Sequence, residues 1–206
     1  MKPWMWIATS YFLGSIPWSY LIVRLLKGTD VRREGSGNVG ATNVLRSAGK
    51  LAGFLALALD AGKGVLAVLV ARRLDFGPAW IGAAAVAVVL GHVFPLFLGL
   101  RGGKGVATAA GALGTLAPWA LAVSIVVFAF MVWATRYVSL GSICAVAVFP
   151  VLLFAARLSG WPAPVAAPIV SAAAAVACLI VLKHAGNIRR LRAGTERRLG
   201  QPRATA

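Results

Sequence analysis

Two glycine-rich stretches carry residues suited to gripping an anion. Residues 35–46, GSGNVGATNVLR, combine Gly35, Gly37 and Gly40 with the neutral hydrogen-bonding side chains of Ser36, Asn38, Thr42 and Asn43 and the fixed charge of Arg46. Glycine lets backbone N–H groups approach an anion closely and arginine offers a planar fork, which is chemistry for phosphate. The literal GxGxxG here does not make a dinucleotide site. That fingerprint needs a preceding strand and a following acidic residue in a βαβ unit, whereas an apolar helix precedes this one. A flexible polar linker is the plainer alternative, but linkers rarely carry so dense a set of anion-binding groups.

The second stretch, GHVFPLFLGLRGGKG at 91–105, ends an apolar run in a glycine-rich turn with Arg101 and Lys104. Counted from Gly99 it is one residue short of a nucleotide P-loop, and Gly105 stands where Ser or Thr would hold magnesium. A cradle of backbone N–H groups and one lysine, without a nucleotide fold, fits better.

A third stretch, KHAGNIRRLRAGTE at 183–196, follows the last apolar run. Alone it reads as a juxtamembrane basic anchor. His184 and Asn187, three apart, could share a helical face toward the same pocket, with Glu196 neutralising an arginine. Within an apolar run, Asp60 and Lys63 at i,i+3 read as a structural ion pair, and His92 as a helix-contact histidine rather than a metal ligand. Cys144 and Cys178 show no CxxC or Cys/His spacing and read as small packing residues. Neither a metal nor a nucleotide cofactor is expected from this set.

The elements that position these loops are apolar. Hydrophobic residues make up 60% of 206 residues and mean hydropathy is +0.84, so lipid is the solvent of most side chains. The first apolar stretch is too long for a signal-peptide core and reads as a span. The spacing predicts an all-α polytopic bundle with spans at about 4–26, 51–71, 79–100, 106–118, 119–135, 140–157 and 164–183. Seven crossings is the favoured count; if Pro118 leaves 106–135 as one tilted helix, five or six remain. Residues 1–200 form one domain, followed by a tail at 201–206.

A net charge of +16 could suit nucleic acid, but no solvated basic domain is left to grip it. Seven crossings with the C-terminus inside place 16 basic residues on the cytoplasmic side and four, Lys2, Arg72, Arg73 and Arg157, on the other, with Lys63 inside a span. An outside N-terminus follows.

Taken together, GSGNVGATNVLR, GHVFPLFLGLRGGKG, RYVSLGS at 136–142, KHAGNIRRLRAGTE and the Asp60-Ala-Gly-Lys63-Gly pattern resemble, nearly end to end, the motifs of the bacterial membrane acyl-phosphate:glycerol-3-phosphate acyltransferases, the PlsY family. The resemblance implies seven membrane helices, a site facing the cytoplasm across the inner membrane, and acyl transfer from a long-chain acyl phosphate to the 1-hydroxyl of glycerol 3-phosphate. The products would be lysophosphatidic acid and phosphate, the first acylation of bacterial phospholipid synthesis. It further implies that Ser36, Arg46 and Lys104 contact phosphates and that Gly40, Thr42, Gly102, Gly103 and Gly105 shape the cradle. His184 and Asn187 would complete it, Ser142 would be a weaker addition, and Glu196 would hold the tail. Membrane lipids and an acyl-phosphate-producing enzyme are the expected partners.

Neither His92 nor His184 is followed by an acid five residues later, so the HxxxxD site of other glycerolipid acyltransferases is absent. A transporter of anionic metabolites is the main competing class, but it needs a polar route at the midplane, where this chain holds chiefly Asp60 and Lys63. A lipid-binding scaffold would explain the basic tail and not the two glycine loops.

Overall fold

The structure, a computed structural model, describes residues 1–201. Of the tail 201–206 only Gln201 falls among them; Arg203 and its neighbours lie outside the described residues. Within the described residues the chain forms ten α-helices and two short 3-10 turns. They are α1 (Pro3–Ser15), α2 (Trp18–Lys27), α3 (Ala41–Ala48), α4 (Lys50–Arg73), α5 (Pro78–Val93), α6 (Val106–Leu116), α7 (Pro118–Thr135), α8 (Val138–Ser159), α9 (Ala167–Lys183) and α10 (Ala185–Arg192).

Four segments are long and apolar enough to cross a membrane: α4, α5 continued to Leu98, α7 and α8. A fifth candidate is α9 with α10, bent by 55° between them. The run 106–135 is two helices, because Pro118 opens α7 after the break at Ala117, and α6 is only 11 residues long.

One expected span is corrected. Residues 4–26 are not a single helix: α1 stops at Ser15, Ile16 is extended, and Pro17 precedes α2. Proline lacks the N–H to continue the ladder and its ring drives the preceding residue out of the α region. The freed carbonyls of Gly14 and Ile16 are taken by the Lys63 ammonium at 2.8 and 3.0 Å.

Packing follows the rule for lipid rather than for water. The buried core is mostly alanine and valine, while Phe54, Trp133, Val151 and Leu158 face outward. Small residues let helix backbones touch where no hydrophobic effect drives them together. In α4 and α6, Gly64 lies against the Thr108 carbonyl and Gly111 against the Ala61 carbonyl, contacts that any Cβ would block. Cys144 is half-buried, but Cys178 is exposed on α9 and does not pack the core.

Contacts between helix ends fix the directions. Arg72, closing α4, donates to the Thr115 carbonyl near the end of α6, so both helices run away from the glycine loops. Tyr11 on α1 donates to the Phe94 carbonyl just after α5, and the Leu199 N–H donates to the Arg136 carbonyl between α7 and α8. The two glycine loops, the α7–α8 turn and the segment after α9 gather at one end of the bundle.

Candidate functional site

The loop before α3 is built around Asn43. Its amide donates to the carbonyls of Val31 and Glu34 at 3.0 and 2.9 Å, and its oxygen accepts the Ser36 N–H at 2.9 Å. Asn43 is therefore fully engaged in shaping the loop, not in meeting an anion as its type and place suggested. Gly35 and Gly37 take positive φ, and Gly37 closes a turn onto the Glu34 carbonyl. Ser36 is left exposed with its hydroxyl unbonded among the described residues; Asn38 and Thr42 are half-buried beside it. Gly40 precedes α3 in extended conformation, and α3 then presents Arg46 on its exposed side.

The loop after α5 folds back on that helix. The N–H groups of Gly102 and Gly103 donate to the Val93 and His92 carbonyls, each at 3.2 Å. These two glycines thus shape the loop by close packing, and their own N–H groups are spent on α5. A Cβ on Gly103 would collide with the His92 ring and with the Val39 carbonyl. Val39 belongs to the first loop, so the two glycine loops meet at this point. Gly105, at φ +88°, turns the chain into α6, whose first-turn N–H groups have no carbonyl partners in the helix. A helix N-terminus beside a lysine is a ready anion site.

Lys104 joins the second loop to the third. Its ammonium donates to Asn187 Oδ1 at 2.6 Å, and Asn187 Nδ2 donates to Glu196 Oε1 at 2.6 Å. Ser139 at the start of α8 donates to the same oxygen at 2.7 Å, and Arg190 on α10 pairs with Glu196 Oε2 at 2.7 Å. His184 is buried at the bend between α9 and α10, where its Nδ1 donates to the Ile180 carbonyl at 2.8 Å. That bond leaves Nε2 as the acceptor of a neutral ring. Beyond Glu196, Arg198 Nε donates to the Tyr137 hydroxyl at 3.3 Å and its guanidinium lies over that ring, strapping the tail to the α7–α8 turn.

The electrostatics are lopsided. Burial pushes the Lys104 ammonium down to about 8, with Glu196 opposing the fall and Arg190 and Arg46 adding to it. Burial alone would raise the Glu196 carboxyl, but hydrogen bonds from Ser139, Asn187 and Arg190 and the charge of Arg190 hold it below the usual range. Arg46 lies within electrostatic reach of Lys104, Glu196 and Arg197. Lys104, Arg46, Arg190 and Arg197 gather about Glu196, and so many cations together call for an anion.

Of the expected site residues, the structure joins Lys104 and Asn187 directly and places His184 and Arg46 within their field. Gly103 and Gly105 line the turn below. Ser142 is not brought in: its hydroxyl donates to the Val138 carbonyl one turn back in α8. The serine that reaches the network is Ser139, which the RYVSLGS motif contained but which carried no separate signal. Arg190 was one arginine among several in a basic run, and only the fold picks it out.

Comparison with known proteins bears on what this arrangement does. Residues 4–194 match the family model described as glycerol-3-phosphate acyltransferase. A glycerol-3-phosphate acyltransferase of Syntrophotalea carbinolica is 45% identical over 93% of this chain and 95% of its own length. The enzyme of that name from Geobacter sulfurreducens is also 45% identical, over 93% and 94%. The fold matches the crystal structure of PlsY, an integral membrane glycerol 3-phosphate acyltransferase, in its glycerol 3-phosphate form, with TM-score 0.89 and 39% identity over 97% of this chain and 96% of that one. The lysophosphatidic acid form matches with TM-score 0.87 and 38% identity, at the same coverage.

Proposed function

This chain belongs to the glycerol-3-phosphate acyltransferase family, and on that premise we propose that its three-loop site moves an acyl group from an acyl phosphate to the 1-hydroxyl of glycerol 3-phosphate. The protein is an integral membrane enzyme with several spans, and its product is lysophosphatidic acid. The observation that carries the donor and the mechanism is the gathering of cations where the three loops meet: Arg46, Lys104, Arg190 and Arg197 about Glu196.

Acyl phosphate is a mixed anhydride with a good leaving group, so the protein needs no strong nucleophile of its own. The glycerol hydroxyl oxygen attacks the acyl carbon, the new ester bond forms, and the bond from that carbon to the phosphate oxygen breaks. The departing phosphate takes the hydroxyl proton. Each substrate brings about two negative charges near neutral pH, and their repulsion at the edge of a low-dielectric bundle would be severe without the cations. Lys104, Arg46 and the first turn of α6 therefore supply most of the catalysis by positioning and charge stabilisation. Ser36, with its free hydroxyl, and Arg46 face one phosphate from the first loop; Gly37, Asn38, Gly40 and Thr42 give that loop its shape. His184 Nε2 is available to accept a hydrogen bond from glycerol, and Asn187 positions Lys104. Ser142 supports α8 rather than substrate.

The seven-pass arrangement uses α1, α4, α5, α6, α7, α8 and α9, whose directions alternate, with α2, α3 and α10 lying along the interface. Basic residues concentrate at the site end, which puts that end in the cytoplasm of a bacterial inner membrane. The N-terminus is then outside and the C-terminus inside. Residues 1–200 act as one domain, without a metal or nucleotide.

The test of the donor is to give purified protein labelled glycerol 3-phosphate with palmitoyl phosphate, palmitoyl-CoA or palmitoyl-acyl-carrier protein, each with and without a chelator. Lysophosphatidic acid from the acyl phosphate alone, unaffected by chelation, is expected. Equal product from the thioesters, or chelator-sensitive product, would contradict the proposal.

A further inference from the structure

Beneath the second loop lies a closed polar cluster that the proposed chemistry does not use. Asp60 and Lys63 on α4 pair at 2.9 Å, and His92 Nδ1 on α5 stands 3.3 Å from the same Asp60 oxygen. Ser19 on α2 donates to the other Asp60 oxygen at 3.3 Å. All four residues are buried. Lys63 also holds the two carbonyls freed at the α1–α2 break. The upper side of His92 meets the loop twice: its carbonyl accepts the Gly103 N–H, and its ring Nε2 borders Gly103 so closely that a Cβ there has no room.

The cluster thus connects three things that must keep register. These are the break leading into the arm that carries Arg46, the trunk of α4, and the residue directly before Lys104. Charges this deep are costly to leave unpaired, so Asp60 and Lys63 hold each other in place. A ring locked by a buried carboxylate is a rigid stop for the loop resting on it.

We infer that His92, oriented by the Asp60–Lys63 pair, is a positioning residue for the reaction: it sets the height of Gly103 and so places Lys104 and the start of α6 against the phosphate of glycerol 3-phosphate. The inference rests on the proposal that this loop holds that phosphate. A misplaced cradle weakens the binding of one substrate; a merely damaged fold lowers the amount of active enzyme and leaves its affinities alone.

The experiment measures kcat and the KM of both substrates for four variants, after checking that each purifies folded. His92→Ala removes the stop and should raise KM for glycerol 3-phosphate about tenfold to a hundredfold while KM for acyl phosphate moves less than about threefold. His92→Asn keeps a nitrogen near the Nδ1 position to meet Asp60 but not the Nε2 edge that bears on Gly103, and should recover only part of that loss. His92→Leu, of similar bulk without nitrogen, should recover none of it. Gly103→Ala pushes the loop off its seat and should raise the same KM. If His92→Ala lowers only kcat, or if Leu serves as well as Asn, the inference is overturned; should His92→Ala not accumulate, the Leu and Asn pair decides it. A raised KM in Gly103→Ala alone overturns the role of His92 and leaves the cradle standing. An unchanged KM in both removes the cradle and this inference with it.

Discussion

The protein holds two polar clusters a short distance apart, and they differ in one respect that separates support from chemistry. Around Asp60 the charges balance: one carboxylate meets one ammonium and one imidazole, nearly all of it shut away from solvent. Around Lys104 cations predominate, with Lys104, Arg46, Arg190 and Arg197 gathered about Glu196. A balanced buried cluster has no need of a ligand and fixes geometry. An unbalanced one at the bundle's end is stable only because water, counterions or a phosphate complete it. Similar residue types thus do different work according to whether their charges already sum to zero.

Breaking the balance in the first cluster should produce the largest change in stability. Asp60→Asn or Lys63→Met alone leaves a buried charge without its partner and should cost about 3–5 kcal/mol, read as a lowered Tm in detergent or bilayer nanodiscs. Asp60→Leu combined with Lys63→Met should recover only part of that stability, because the Gly14 and Ile16 carbonyls lose the donor that Lys63 supplies. It should still bind glycerol 3-phosphate poorly, because His92 has lost its anchor. If the double variant is as unstable as the singles, the pair is not acting as a balanced unit.

How much of this contrast could be read from the residues depends on which interactions are local. The ion pair of Asp60 and Lys63 was readable because i,i+3 spacing places them together on any helix. The long spans were readable because lipid demands unbroken apolar runs. The first span was misread as continuous although Pro17 stood in plain sight, because its apolar neighbours match a span on either side of the break. Glycine and basic residue types suggest that the loops bind phosphate. They do not say what each glycine does, because it takes the fold to turn the Gly102 and Gly103 N–H groups onto α5. Asn43 misled for the same reason: an amide binds an anion or a neighbouring carbonyl equally well, and the fold decides. Ser139 over Ser142 is a choice of helix face and register against a tail residue 57 positions away from Ser139, which spacing cannot encode.

The second cluster should respond to pH. With the Lys104 ammonium already lowered to about 8 in the free enzyme, a rise above that value deprotonates it before substrate arrives. Binding a phosphate dianion must then bring the proton back. KM for glycerol 3-phosphate should climb by up to about tenfold per pH unit above about 8, while below it the lysine stays charged down to the region near pH 6 where the phosphate itself gains a proton. A KM flat from pH 7 to 9.5 would show that Lys104 does not meet the substrate's charge.

The smallest effects should come from α8. Ser139→Ala removes one of the hydrogen bonds that steady Glu196 and should cost about 1 kcal/mol, seen as a modest loss of activity through a looser Lys104. Ser142→Ala removes a bond within the helix and should change turnover by less than about twofold. The reverse order would place Ser142 in the substrate site after all.

The central claim is that surplus positive charge at the meeting of three loops drives the reaction, and the direct measurement is turnover of labelled glycerol 3-phosphate with acyl phosphate by Arg46→Ala and Lys104→Ala. Each should lose roughly 30- to 1000-fold in kcat/KM, the equivalent of about 2–4 kcal/mol, while remaining folded. Wild-type turnover and wild-type affinity for glycerol 3-phosphate in both variants would contradict it.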